Sequence, residues 1–328
     1  MAVTNYLVSN LASYVEQNRD LIIKNFALTG DGTRGRIGLR TGVKSGQYIP
    51  YLDFTLALQD GSGCGFDPLD EADLAQVQIS VDAIKHDGEV CAETLLGTYA
   101  EYLVRVSATE NELPYEAYLM DAMTREVNKT IEKLIWQGDK ANGTGNMAVS
   151  DGFLVKLAAD GNVLTENIAS GSTAYAGLRQ VYASMPDEAL ERGGLIFVAP
   201  AIFRALISDM LNMGFMNVAA APQDEVILPG TDVRVIKTPG LIGDLNVVAT
   251  YGENLVYATD ELGDSTDVDL WWSNDNRVFR YQVKWTQGVG YFFPDQIVLG
   301  TFAAAPTAST PIATAVAGIA ECVCAGGE

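Results

Sequence analysis

Leu113 to Gly138 reads Leu-Pro-Tyr-Glu-Ala-Tyr-Leu-Met-Asp-Ala-Met-Thr-Arg-Glu-Val-Asn-Lys-Thr-Ile-Glu-Lys-Leu-Ile-Trp-Gln-Gly. At about 100° per residue, Leu119, Met120, Met123, Val127, Ile131, Leu134 and Ile135 fall within roughly 160° of arc. Asp121, Arg125, Glu126, Lys129, Glu132 and Lys133 take the opposite side. Pro114 suits a first turn and Gly138 sits where a helix stops. Asp121 and Arg125 make a favourable i,i+4 pair. About 24 helical residues would be roughly 36 Å long, about twice a usual globular helix. An ordinary core helix shares this pattern, so the neighbouring segments decide what it belongs to.

Upstream, Asn10 to Phe26 reads as an amphipathic helix with Leu11, Val15, Leu21, Ile22 and Phe26 on one side. Thr29 to Gly46 is glycine-rich and carries Arg34, Arg36, Arg40 and Lys44 against the single acid Asp31. Such a basic island is either a solvated loop or an arm lying on an anionic surface. Then Leu52, Phe54, Leu56 and Leu58 alternate with polar and small residues, as do Val77, Ile79 and Val81. That period of two predicts two strands, joined by the Gly- and Asp-rich stretch 59–73. A two-stranded ribbon is marginal alone in water, so its apolar side must lie on something. Glu93 to Val104 reads as a helix leading into the long one.

Downstream, Asn142 to Gly145 and Ser150 to Gly152 mark loops. Tyr175 to Met185 is a predicted short helix, Leu195 to Val198 a buried strand, and Pro200 opens a helix through Met213. Val226 to Gly252 alternates strands with tight turns. Leu255–Thr259, Asp267–Trp272 and Val278–Trp285 continue as strands, and Tyr291–Leu299 ends the folded part. Beyond Phe302 the composition collapses to Ala, Thr, Pro and Gly, which predicts a flexible or extended tail.

The totals narrow the function. The chain has 328 residues, 48% of them apolar, which suffices for one large domain or two modest ones. A formal charge of −21 argues against a general nucleic-acid binder, though not against a protein that must lie near nucleic acid without gripping it. No apolar run is long enough to span a bilayer, and Met1 to Asn10 lacks a signal core. Cys64, Cys91, Cys322 and Cys324 are too scattered for a disulfide framework, so a reducing, cytoplasmic origin is expected.

Catalytic patterns are weak. His86 is the one histidine, flanked by Lys85 and Asp87 in what reads as a polar turn. Gly30 to Arg36 lacks the Lys-Ser/Thr pair of a phosphate loop. Asp260, Glu261, Asp264, Asp267 and Asp269 do not have calcium-loop spacing. Cys322 and Cys324 would need metal-binding partners from elsewhere. Trp271, Trp272 and Trp285 read as core. We expect no catalytic residues, no metal and no cofactor.

The series of segments resembles the major capsid proteins of tailed double-stranded DNA bacteriophages, the Hong Kong 97-type shell fold. It is carried by the arm, the hairpin and the long helix ending in Trp-Gln-Gly-Asp at 136–139. It continues through Leu-Ile-Phe-Val-Ala-Pro-Ala-Ile-Phe-Arg-Ala-Leu at 195–206, Leu-Pro-Gly-Thr-Asp-Val-Arg-Val-Ile-Lys-Thr-Pro-Gly-Leu at 228–241 and Asn-Leu-Val-Tyr-Ala-Thr-Asp at 254–260. The last match is the pair at 279–285 and 291–298. The resemblance covers roughly 45–300 and rests on texture and order, with no invariant catalytic letters.

It implies an α+β fold: an N-terminal arm (1–45), an extended β-hairpin loop (46–92), a peripheral domain with a spine helix (93–164), an axial domain (165–262), return strands of the peripheral domain (263–302) and a flexible tail (303–328). Leu119, Met123, Val127, Ile131 and Ile135 would be the spine-helix core. Leu52, Phe54, Leu56, Leu58, Val77, Ile79 and Val81 would form one apolar face covering a neighbouring subunit. Arg34, Arg36, Arg40 and Lys44 would contact the inner surface or DNA. The resemblance also implies hexamers and pentamers of the chain itself, a portal protein, a separate scaffolding protein, decoration or head-completion proteins, weak non-specific contact with packaged double-stranded DNA, no membrane, assembly in the host cytoplasm and residence in the virion. Lys44 and Lys85 flank the hairpin, but the full constellation for an isopeptide crosslink is not matched. Two alternatives stay open: an encapsulin-type nanocompartment, and a soluble acidic enzyme with a metal at the Asp260–Asp269 cluster.

Overall fold

The computed structural model describes residues 33–43, 46–55, 71–91, 115–215, 224–260, 267–273 and 278–306. The expected helices at 10–26 and 93–104, and the tail beyond 306, lie outside the described residues. The long helix, α1, spans Tyr115–Gln137. Its apolar stripe does what the spacing requires, because Ile131, Leu134 and Ile135 are buried and Val127 is half-buried. The side chains of Leu119 and Met123 lie outside the described residues. Glu132, expected on the wet side, is buried instead.

Trp136 is fully buried between Phe153 and Phe197, with ring centroids 5.2 and 5.3 Å away. This aromatic stack ties the end of α1 to two later elements, α2 (Phe153–Ala159) and a strand of the second sheet. Gly138 ends the helix for a packing reason. A Cβ there would sit 2.1 Å from the Ser150 carbonyl oxygen, where residues 150–152 close over the helix terminus.

Among the described residues two larger sheets carry most of the rest. The five-stranded sheet is built on β12 (Val278–Tyr291). β4 (Asp82–Cys91) pairs along one of its edges, while β11 (Asp267–Ser273) and β10 (Leu255–Thr259) share the other. β1 (Gly38–Thr41) runs parallel to β10. Alternation along β12 separates its faces. Val283 and Trp285 are buried on the side of Ile84, whereas Arg280, Gln282 and Lys284 pair opposite Glu89, Asp87 and Lys85 on the other. On that polar face, hydrogen bonds from Lys85 and Gln282 hold the Asp87 carboxyl below its usual range.

The six-stranded sheet has the order β5–β13–β9–β6–β8–β7, from Leu164–Ile168, Val298–Phe302, Asn246–Tyr251, Gly194–Val198, Arg234–Lys237 and Glu225–Ile227. Every residue of β6 is buried, as its unbroken apolar run predicts. Helices α3 (Ala174–Ala183), α4 (Asp187–Glu191) and α5 (Pro200–Asn212) pack on it. The buried Asp209 carboxylate of α5 accepts the Tyr175 N–H, 3.1 Å away in the first turn of α3, where the helix dipole favours negative charge.

Several boundaries read from the sequence are corrected. β2 (Gln47–Thr55) and β3 (Glu71–Ile79) do form an antiparallel ribbon. The hairpin does not extend to 92, however, because Asp82–Cys91 is committed to β12. His86 accordingly lies in a strand, not a turn, with its ring 5.5 Å from that of Tyr281. β10, placed with the 165–262 unit, belongs to the five-stranded sheet. β13, placed with the 263–302 return strands, belongs to the six-stranded one. Residues 291–298 are mostly a turn, with a 3-10 helix at Pro294–Gln296. Trp271 is exposed rather than core, while Trp285 is buried.

With Ile131 fully enclosed and Val127 only half so, truncation to alanine separates them. Ile131→Ala should cost about 2–4 kcal/mol and Val127→Ala about 1 kcal/mol or less. Urea denaturation of the two variants checks this, and equal costs would mean α1 is packed differently.

Candidate intersubunit surfaces

The ribbon leaves the five-stranded sheet at Ile79. Its register pairs Gln47 with Ile79, Ile49 with Val77, Leu52 with Leu74 and Phe54 with Ala72. Because paired residues share a face and alternate residues change face, positions 77 and 79 go with 47 and 49. Positions 52 and 54 go with 72 and 74, on the other face. The single apolar face expected from the sequence is therefore split between two. Leu56 and Leu58, and the side chains of Leu52 and Phe54, lie outside the described residues.

The base of the ribbon is not free for a neighbour. Ile79 is 0% exposed and packs with Val43, Val256 and Ala258, flanked by half-buried Val77, Val81 and Phe292. It lies directly over Gly290 of β12, where a Cβ would come within 2.9 Å of its Cγ1. Ile79 is thus core of its own chain, a correction to its expected intersubunit role. Tyr48, opposite Gln78 on the other face, is 58% exposed.

The basic island also divides. Arg34 is buried: its Nε donates to Glu132 Oε1 at 3.4 Å and its Nη2 to Asn128 Oδ1 at 3.0 Å. The Thr33 N–H donates to Glu132 Oε2 at 3.2 Å, and Trp136 Nε1 donates to Thr33 Oγ1 at 2.6 Å. Glu132 on the polar side of α1 is therefore the anchor for residues 33–34. Burial pushes the neighbouring Tyr257 phenol up to about 12, with the Arg34 guanidinium pulling the other way. Arg36 pairs at 2.5 Å with Glu225 of β7, and Arg40 is exposed. Arg34 is corrected from an inner-surface contact to an internal one; Lys44 lies outside the described residues.

Between α1 and the apolar face of the five-stranded sheet runs a cleft of about 520 Å³, lined by Ile84, Val127, Ile131, Leu134, Tyr281 and Trp285 among others. A second groove, of about 650 Å³, lies at the start of α5 between Arg204, Ile207, Lys237 and Ile242. Among the described residues no cluster of His, Cys, Asp and Glu is arranged to hold a metal. Asp260 is buried, its N–H held 2.8 Å from Thr286 Oγ1.

No family model matches the chain, and no curated protein sequence matches it. Solved structures do. A chain of the satellite phage P4 procapsid including size determination (Sid) protein superposes with a TM-score of 0.59 at 13% identity, covering 88% of this chain and 100% of that one. The capsid of the native GTA particle gives 0.54 at 11%, over 85% and 93%. The virus-like particle from Pyrococcus furiosus gives 0.51 at 11%, over 87% and 98%. The chain has the Hong Kong 97-like capsid fold.

Within that fold the sequence had marked α1 and the ribbon, but not which sheet β10 and β13 join. It missed that Glu132 is an internal anchor, because an acid among the other charges of that helix face looks solvated. It also missed the groove at Arg204, whose residues come from three separate segments. A usable signal lay in Pro239 to Gly243, where Gly240 and Gly243 bracket the apolar Leu241 and Ile242.

Proposed function

We propose that this chain is the major capsid protein of a tailed double-stranded DNA phage, forming hexamers and pentamers that close an icosahedral head. The observation that supports this most is coverage. The likeness to the P4 procapsid chain extends over 88% of this chain and all of that one, as expected of a whole shell subunit rather than a shared subdomain. In this reading the five-stranded sheet with α1 is the peripheral domain, the six-stranded sheet is the axial domain, and the outer part of the β2–β3 ribbon lies on a neighbour. The charge of −21 keeps contact with packaged DNA weak. A portal, a separate scaffold and decoration proteins are its other partners, with assembly in the host cytoplasm.

Negative-stain imaging of the purified protein tests this: rings or closed shells are expected, and single subunits at all concentrations would overturn it. A nanocompartment shell is the second reading, favoured by the likeness to the Pyrococcus furiosus particle. Nuclease-resistant DNA inside native particles supports the phage head; a protein cargo supports the compartment.

A further inference from the structure

The six-stranded sheet is polar along its strands. β5, β13, β6 and β8 all run the same way, since β13 is parallel to β5, β8 is parallel to β6, and both β13 and β6 are antiparallel to β9. Their two ends carry opposite chemistry. At the C-terminal ends, α5 starts at Pro200 and the 3-10 turn Pro239–Leu241 follows β8, leaving the groove between Arg204, Ile207, Lys237 and Ile242. Its wall is fixed from outside, because the Gln137 side-chain amide of α1 donates to the carbonyl oxygens of Gly240 (2.8 Å) and Ile242 (3.1 Å). Ile242 is nevertheless 52% exposed, and Arg204 is exposed on the rim.

At the N-terminal ends an exposed apolar residue and several exposed acids share one end of the sheet. Leu164 opens β5 at 40% exposure, its N–H bonded to the Ile297 carbonyl oxygen at 3.0 Å. Gln296, next to Ile297, donates to Glu188 of α4; Asp295 just before it is exposed, as are Asp187 and Glu191 at the two ends of α4. Arg192 at this end folds back over the rings of Tyr251 and Phe293.

A groove with an apolar wall and exposed Arg204 on its rim, where Lys237 is already paired with Asp224, is complementary to an exposed leucine with carboxylates on the adjoining elements, and the two lie at opposite ends of one sheet. A contact between different patches of identical subunits is head-to-tail, and it closes into a ring when the rotation permits. We infer that the Arg204–Ile242 groove receives the Leu164–Asp295 end of the same sheet in a second copy. This rests on the shell reading and names one contact within it.

The experiment uses the full chain and a charge swap. Arg204→Glu sets like charges against each other across the contact, which should lower particle yield at least about tenfold. Adding Asp295→Arg to the same chain restores the opposite-sign pair and should recover most of the yield. Ile242→Asp should abolish particles while leaving the circular dichroism spectrum and melting temperature of the subunit unchanged. Normal particles from Arg204→Glu or from Ile242→Asp would overturn the contact, as would a loss by Arg204→Glu that Asp295→Arg does not repair. Failure of the parent chain to assemble would instead sink the shell reading itself.

Discussion

Replacing Arg34 with Met should destabilise the subunit by about 3–5 kcal/mol, although the side chain belongs to a run of cations that reads as surface. The guanidinium is 1% exposed and its carboxylate partner Glu132 7% exposed. Removing the cation leaves Glu132 buried with its charge uncompensated, still facing the Thr33 N–H but stripped of its counter-ion. Glu132→Met should cost a comparable amount for the reciprocal reason. The pair of changes together should recover a large part of the loss, because an apolar pair of similar volume avoids desolvating two ions. Arg40→Met, at an exposed position, should stay within about 0.5 kcal/mol of the parent. Urea denaturation of dissociated subunits at one protein concentration measures all four, and that control matters because assembly itself stabilises. If Arg34→Met unfolds at the parent's midpoint, residues 33–34 are not anchored on α1 and the basic island is solvated after all.

The same pair shows what the sequence could and could not supply. Local periodicity was legible. Ile131, Leu134 and Ile135 fall on one helical stripe and are buried, and the apolar run of β6 is buried throughout. Those patterns are set within a few residues of chain. Glu132 is decided by Arg34, 98 residues away, and nothing in the helix's own pattern distinguishes it from Glu126 or Lys129. Strand membership failed for a related reason. β10 reads as a compact apolar strand, whereas β13 lies mostly beyond the 291–299 stretch, and only their pairing partners, β12 and β9, say which sheet each joins. Register is the third case. Alternation showed that each strand of the ribbon has two faces, but the offset that pairs Gln47 with Ile79 is a non-local fact. A shift of one residue moves every side chain to the other side.

That register leads to the second large effect. Ile79→Asp places a carboxylate against Val43, Val256 and Ala258 with no cation among those contacts. Burying such a group unpaired costs several kcal/mol, so the expected result is a subunit whose ribbon base and adjoining five-stranded sheet come apart. Limited proteolysis should then cut the dissociated variant within β3 or the end of β12 under conditions in which the parent resists. The other face behaves differently. Tyr48 is 58% exposed, and Tyr48→Asp should leave subunit stability within about 0.5 kcal/mol of the parent. If the Tyr48 face is the one that lies on a neighbouring subunit, Tyr48→Asp should still block assembly, separating folding from association on two sides of one ribbon. A stable, protease-resistant Ile79→Asp subunit would mean that Ile79 meets a neighbour rather than its own sheet. Assembly of Tyr48→Asp at the parent's yield would place the intersubunit contact elsewhere along the ribbon.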